Sequence, residues 1–116
     1  ILIGLVGSEM CIRDRFYVLV DNHFKEKKMV QDYADMLHRS PKTLSNLFTT
    51  CGLPSPLRII HERIEAEAKR LLLYSQKSAK EITEILGFED QATFSRFFKK
   101  MTGESVSEYR KREKRE

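Results

Sequence analysis

Residues 79–103 read AKEITEILGFEDQATFSRFFKKMTG, and the rest of the chain is organised around them. Ile82, Ile85 and Leu86 recur at i, i+3 and i+4, one apolar stripe of a helix. Gly87 then breaks the period, Phe88 follows as an isolated apolar plug, and Glu89 and Asp90 supply acidic oxygens. Asp90 suits an N-cap, because a carboxylate there accepts from free backbone N–H groups and meets the positive end of the helix dipole. Phe94, Phe97, Phe98 and Met101 give a second stripe at i, i+3, i+4 and i+7, stopped by Thr102-Gly103. A helix, a short glycine-containing turn and an amphipathic helix make the helix-turn-helix pattern.

The other face of the second helix carries the chemistry. Gln91, Ala92, Thr93, Ser95, Arg96 and Lys99 stand away from the phenylalanines, with Lys100 beside them. Gln and Arg can make bidentate hydrogen bonds to base edges, whereas Ser, Thr and Lys can reach bases or phosphates. A polar face on an amphipathic helix needs no explanation beyond solvent. Here, however, acids precede the helix and cations follow along it, a polarity suited to a negatively charged groove.

The run KEITEILGFEDQATFSRFFKKMTGES, continued by Tyr109-Arg110, resembles the signature of the AraC/XylS family of bacterial transcriptional regulators. Ile82, Leu86, Gly87, Phe88, Asp90, Phe94, Arg96, Phe98, Lys99, Lys100, Gly103, Ser105, Tyr109 and Arg110 meet that pattern at fixed spacing. The resemblance implies an all-α fold of about seven helices, with two helix-turn-helix subdomains joined by a long linker helix. It implies sequence-specific binding of double-stranded DNA by two recognition helices in successive major grooves, and regulation of bacterial transcription with RNA polymerase as a partner. Arg96 is then the expected base reader, with Lys100 and Arg110 on phosphates. Such regulators carry a separate sensing or dimerising domain, so the chain is expected to be a fragment that dimerises only through that missing part. Two residues depart from the pattern. Thr83 replaces an alanine at a close helix crossing, and Val106 replaces the proline that usually opens the last helix.

Length and composition agree with this reading. At 116 residues the chain makes one domain, and its net charge of +4 with a pI near 9.1 is compatible with a polyanionic partner. Two cysteines, with no Cys-x-x-Cys or His-x-x-x-His spacing, suggest neither a disulfide framework nor a metal site, and no cofactor is expected. A reducing cytoplasm is the default, with the protein on the nucleoid. His23, His38 and His61 lie on separate elements without a nucleophile–base pairing, so the pattern points away from an enzyme. Cys51 reads as a small, part-buried residue at a helix end rather than a nucleophile.

The opening ILIGLVGSEMCIRDR is too brief an apolar run to span a membrane and lacks the basic leader of a secretory signal. Leu5 to Arg15 instead resembles the translation of a sequencing adapter. Residues 1–15 are therefore set aside as a non-native extension, and 16–116 are taken as the DNA-binding domain.

From Phe16, with Leu19, Val20, His23 and Phe24, a short amphipathic helix is expected, then the connector KEKK. Met29 to Leu37 places Val30, Tyr33, Ala34 and Leu37 on one face, and His38-Arg39 make a turn. Ser40-Pro41 suit N-cap and N1 of the next helix, which turns Leu44, Leu47 and Phe48 inward. Its outward residues Lys42, Thr43, Ser45, Asn46 and Thr49 form the first candidate recognition face. Tyr33, Ala34 and Leu37 match Ile82, Thr83 and Leu86, while Leu44, Phe48 and Ser55 match Phe94, Phe98 and Ser105. This is an internal repeat of about 50 residues with one residue's slip in the turn. Only Lys42 charges the first face, so it is expected to read DNA with fewer strong polar contacts.

Pro56 to Tyr74 links the repeats as one helix, with Leu57, Ile60, Ile64, Ala68 and Leu71 at helical spacing. Its 19 residues give roughly 28 Å, against about 34 Å for one turn of duplex. Glu65/Lys69 and Glu67/Arg70 read as helix-surface support. Ser105 to Arg110 form a closing helix, and Lys111 to Glu116 a frayed tail. The competing readings are a helical protein–protein interaction module and a degenerate output domain of a larger sensor.

Overall fold

Seven α-helices and the turns between them make up the computed structural model, which describes residues 8–114, with side chains from 12 to 113. No strand occurs among the described residues. The helices are α1 (Ser8–His23), α2 (Val30–Leu37), α3 (Pro41–Thr50), α4 (Pro56–Tyr74), α5 (Ala79–Leu86), α6 (Gln91–Thr102) and α7 (Val106–Lys114). Local chemistry sets the starts. Ser40, Ser55, Ser78, Asp90 and Ser105 each accept a backbone N–H from three residues on, at 2.8–3.2 Å. Such caps are worth about 1 kcal/mol each. Glu81 and Glu108 return the bond to the backbone N–H of Ser78 and Ser105, completing two capping boxes.

The chain divides between Arg63 and Ile64 into two compact units. In the first, Ile12, Phe16, Val20 and Phe24 form a buried ridge at four-residue intervals along α1 and the residue after it. Tyr33, Ala34 and Leu37 from α2 and Leu44 and Phe48 from α3 face inward, each no more than 2% exposed. The Phe16 ring meets Tyr33 at 5.5 Å and Phe48 at 5.1 Å, both edge-on as ring quadrupoles prefer. The Tyr33 hydroxyl donates to the Lys27 carbonyl at 2.7 Å, so the buried ring keeps its polar end satisfied. Burial, with Asp32 and Glu26 adding to it, pushes this phenol up to about 12. Ile59 and Ile60 from the first turns of α4 are also buried. Arg63 pairs with Asp21 at 2.7 Å and lies 4.4 Å from the Phe24 ring centre.

The second unit takes Ile64, Ala68, Leu71 and Leu72 from α4, Ile82 and Leu86 from α5, Phe94 and Phe98 from α6, and Val106 and Tyr109 from α7. Phe88, in the turn, lies 5.4 Å from both Phe94 and Phe97, while Phe98 meets Tyr109 at 5.4 Å. The Thr83 hydroxyl donates to the Ala79 carbonyl at 2.8 Å, one turn back. That bond lets a threonine sit only 3% exposed at the crossing. Val106 opens α7 without proline's fixed φ, and the Ser105–Glu108 box orders that start instead.

Four expectations about local placement change. α1 begins at Ser8, so the helix is not broken at Phe16, and Ile12 lengthens its buried ridge; residues 1–7 lie outside the described residues. α7 runs on to Lys114 instead of stopping at Arg110, since Arg112 pairs with Glu104 at 2.6 Å and lies 5.5 Å from the Tyr109 ring centre. Leu57 shares the angle of the α4 stripe but is 44% exposed, while Pro56, Ile59 and Ile60 around it are buried. Glu67, expected on the surface, is buried with both oxygens on Arg70 at 2.6 and 3.0 Å; Lys69 and Glu65 pair at 2.8 Å as expected.

Candidate nucleic-acid interface

α6 is held at both ends and along one side, which fixes what its other side presents. Asp90 caps the start through the Thr93 N–H at 2.8 Å. The Thr93 backbone and hydroxyl hold that carboxyl below its ordinary range, and Arg96 adds to the effect. At the other end Gly103 adopts a left-handed φ of 88°, and its N–H reaches the Lys99 carbonyl at 2.7 Å. With Phe94 and Phe98 fully buried, Gln91, Ala92, Arg96, Lys99 and Lys100 are exposed, and Thr93 and Ser95 half-buried. Among the described residues Arg96 makes no ion pair with Glu89 or Asp90; its one bond is a long 3.5 Å contact to the Thr93 hydroxyl. The guanidinium is thus steered along the outward face rather than neutralised there. Lys99 and Lys100 stand in the last turn, where cations meet the negative end of the dipole.

α3 repeats the arrangement with neutral chemistry. Ser40 caps it, Pro41 occupies the first position, and Leu44 and Phe48 are fully buried. Lys42, Thr43, Ser45, Asn46 and Thr49 are all exposed, brought to one side by the helix. The turn leading in differs from that before α6. His38 holds the left-handed conformation at φ 59°, where the second unit uses Gly87 at φ 81°.

Arg110 is not where the sequence reading puts it. Its guanidinium donates to the carbonyls of Leu72 at 3.1 Å and Ser75 at 3.3 Å, so its donors satisfy the end of α4 instead of facing outward to a phosphate. Its partners lie 35–38 positions away, and no local pattern signals such a bond. Cys51, expected to be part-buried, is exposed at the end of α3, where Gly52 at φ 74° brings the Leu53 N–H back to the Phe48 carbonyl at 2.9 Å. Among the described residues no group of His, Cys, Asp and Glu could hold a metal ion, and no helix is long and apolar enough to cross a membrane.

Comparison with known proteins bears on the same segments. The profile of a helix-turn-helix domain matches residues 33–112, both turn-containing pairs and the helix between them. The chain is 34% identical over 82 residues to the raffinose operon transcriptional regulatory protein RafR of Pediococcus pentosaceus, covering 71% of this chain and 30% of that protein. It is 36% identical over 92 residues to the arabinose operon regulatory protein of Salmonella typhimurium, covering 79% and 31%. It thus spans about a third of these relatives' length. Among solved structures, the C-terminal domain of AraT, a response regulator from Geobacillus stearothermophilus, superposes with a TM-score of 0.76 at 29% identity, covering 86% of this chain and 84% of that one.

Proposed function

The chain belongs to the AraC-type helix-turn-helix family of transcriptional regulators, and on that footing we propose that it binds double-stranded DNA sequence-specifically through the outward faces of α3 and α6. The observation that carries the reading is the α6 face: a helix anchored by buried Phe94 and Phe98, presenting Gln91, Arg96, Lys99 and Lys100 to solvent. Arg96 reads a base edge, Gln91 and Ser95 sit beside it, and Lys99 and Lys100 draw in the phosphate backbone. The α3 face, with Lys42, Thr43, Ser45, Asn46 and Thr49, works in a second major groove of the same duplex. The protein regulates bacterial promoters in contact with RNA polymerase, resides on the nucleoid, and dimerises through a part outside this chain. The native domain starts at Phe16. Deleting residues 1–15 tests this start: a melting temperature within a degree or two keeps it at Phe16, and a drop of several degrees gives buried Ile12 and the start of α1 a part in the fold.

Salt titration on duplex DNA tests the central reading. Counterion release makes affinity fall steeply with salt, and Lys100→Ala is expected to reduce that slope by about one while weakening all sequences alike. Arg96→Ala is expected to cost about 1–3 kcal/mol on a selected site and to relax preference at one base pair. Equal losses on every variant site would demote Arg96 to a phosphate contact. Absence of salt-dependent duplex binding would favour a protein-docking module.

A further inference from the structure

α3 and α6 share one register. Their N-caps, Ser40 and Asp90, lie 50 positions apart, and so do the fully buried pairs Leu44/Phe94 and Phe48/Phe98. In that frame Thr43 coincides with Thr93 and Ser45 with Ser95, the same residue each time. The position between the buried pair and directly opposite them carries Asn46 in α3 and Arg96 in α6. Each is the sixth residue of its helix, and each is exposed. Two residues from either buried partner means a rotation of about 200°, which turns both side chains away from their cores.

We infer that this shared position is where the two half-sites are told apart, Asn46 reading an adenine and Arg96 a guanine. The inference rests on the duplex-binding reading above. A carboxamide offers one acceptor and a two-hydrogen donor, which fit the N6 amine and N7 of adenine together. A guanidinium offers donors only, which fit O6 and N7 of guanine and have nothing to give the adenine amine. Thr43/Thr93 and Ser45/Ser95 are identical and do not distinguish the units; Pro41/Gln91 and Lys42/Ala92 differ at the helix starts, and Asn46/Arg96 is the difference at the centre of the face, where the inference places the discrimination. The charge difference follows the same division. Thr49 and Thr50 stand where α6 has Lys99 and Lys100, so the adenine half-site is read with little ionic attraction and the guanine half-site with much.

The test is selection from a random duplex library with the whole chain, in parallel with Asn46→Arg, Asn46→Gln, Asn46→Ala and Arg96→Asn. The wild type is expected to enrich sites with an invariant A·T pair in one half and G·C in the other. Asn46→Arg converts the first to G·C and leaves the second untouched, and Arg96→Asn does the reverse. Asn46→Gln keeps the adenine, because its carboxamide has the same donor and acceptor. Asn46→Ala loses preference at that pair alone, a discrimination of about five- to 150-fold. An Asn46→Arg or Asn46→Ala consensus identical to the wild type, or one degraded equally at every position, overturns the assignment. If the wild type itself enriches no sequence, it is the duplex-binding reading that falls. All these substitutions are at exposed positions, and unchanged melting curves confirm that the selections compare folded proteins.

Discussion

Where the first unit fills its middle with one aromatic ring from each of three helices, the second draws its rings from α6 and the turns and helix beside it. Phe16, Tyr33 and Phe48 come from α1, α2 and α3. Phe88, Phe94, Phe97, Phe98 and Tyr109 meet one another, and the residues that α4 buries in this unit are Ile64, Ala68, Leu71 and Leu72. A phenylalanine on the long helix of one unit goes with a leucine, Leu44, on its recognition helix. The smaller residues of α4 go with Phe94. What is common to the two units is the spacing of the buried positions and the placement of the caps Ser40/Asp90 and Ser55/Ser105; residue identity is kept at Phe48/Phe98 and Leu37/Leu86 and changes at Leu44/Phe94, as expected when cores tolerate hydrophobic substitution. The outward positions lie outside that constraint and are free to differ in charge.

The largest expected effect comes from emptying the two cores in turn. Phe98→Ala and Phe48→Ala each remove a fully buried ring and should cost about 3–5 kcal/mol, a large share of the roughly 5–15 kcal/mol that holds a small domain. Residue-resolved hydrogen exchange sharpens the comparison. Phe98→Ala is expected to expose amides of residues 64–116 first, and Phe48→Ala those of the described residues before 64. Uniform loss of protection in both variants would mean that the division at Arg63 is geometric only. A Phe98→Ala protein of full stability that no longer binds duplex would reverse the inner and outer faces assigned to α6.

Arg110 breaks the symmetry between the units in another way. Fifty positions earlier stands Ile60, fully buried, whereas Arg110 ties α7 to the carbonyls of Leu72 and Ser75 at the end of α4. Arg110→Ala is expected to lower stability by about 1–2 kcal/mol while leaving the salt slope of duplex binding unchanged. A slope reduced by one with an intact melting temperature would return Arg110 to the phosphate backbone.

Much of this was legible in the sequence because it is local. The stripes of α5 and α6, the caps Ser40 and Asp90, the extent of α4 and the 50-residue repeat all follow from period and turn chemistry within a few residues. The outward faces follow for the same reason, since fixing Phe94 and Phe98 inward fixes Arg96 outward. What escaped depends on partners distant in the chain. The bonds of Arg110 join residues 35–38 apart. The exposure of Leu57 and Cys51 depends on which neighbours reach them, which periodicity does not encode. His38 shows the converse limit: its turn was evident, but no glycine marked the left-handed position, which histidine occupies less readily than glycine though more often than most side chains.

That turn supplies a smaller test of the same comparison. At φ 59° His38 carries a cost that Gly87, at φ 81°, avoids. His38→Gly is expected to raise stability by about 0.5–1 kcal/mol, after the extra entropy of glycine in the unfolded chain is subtracted. Gly87→Ala is expected to lower it by about 1 kcal/mol. Urea midpoints of the two variants should therefore move in opposite directions. If His38→Gly destabilises instead, the imidazole makes a contribution to the first turn that outweighs its strained backbone.

The smallest expected difference is in response to acid. The first unit caps α3 and α4 with Ser40 and Ser55, whose hydroxyls do not titrate, whereas Asp90 and Glu108 serve α6 and α7. Both carboxyls are held below their ordinary values of 3.8 and 4.5 by hydrogen bonds from Thr93 and Ser105, with Arg96 and Lys99 nearby adding to the shift. A depressed folded value means that the caps contribute fully above the ordinary carboxylate range. The contribution is lost as pH falls through the lowered folded value. Both groups are fully exposed, so the effect is small and is best read locally. In a pH titration followed by amide chemical shifts, the Thr93 and Ser105 amides should each move in acid as the carboxyl beside them protonates, while those of Thr43 and Arg58 stay still. Asp90→Asn keeps a capping oxygen but removes the proton site, and should flatten the Thr93 curve alone. Amides of Thr43 and Arg58 moving at the same pH as Thr93 would show that acid acts through the charge of the whole chain, with no difference between the neutral and acidic caps.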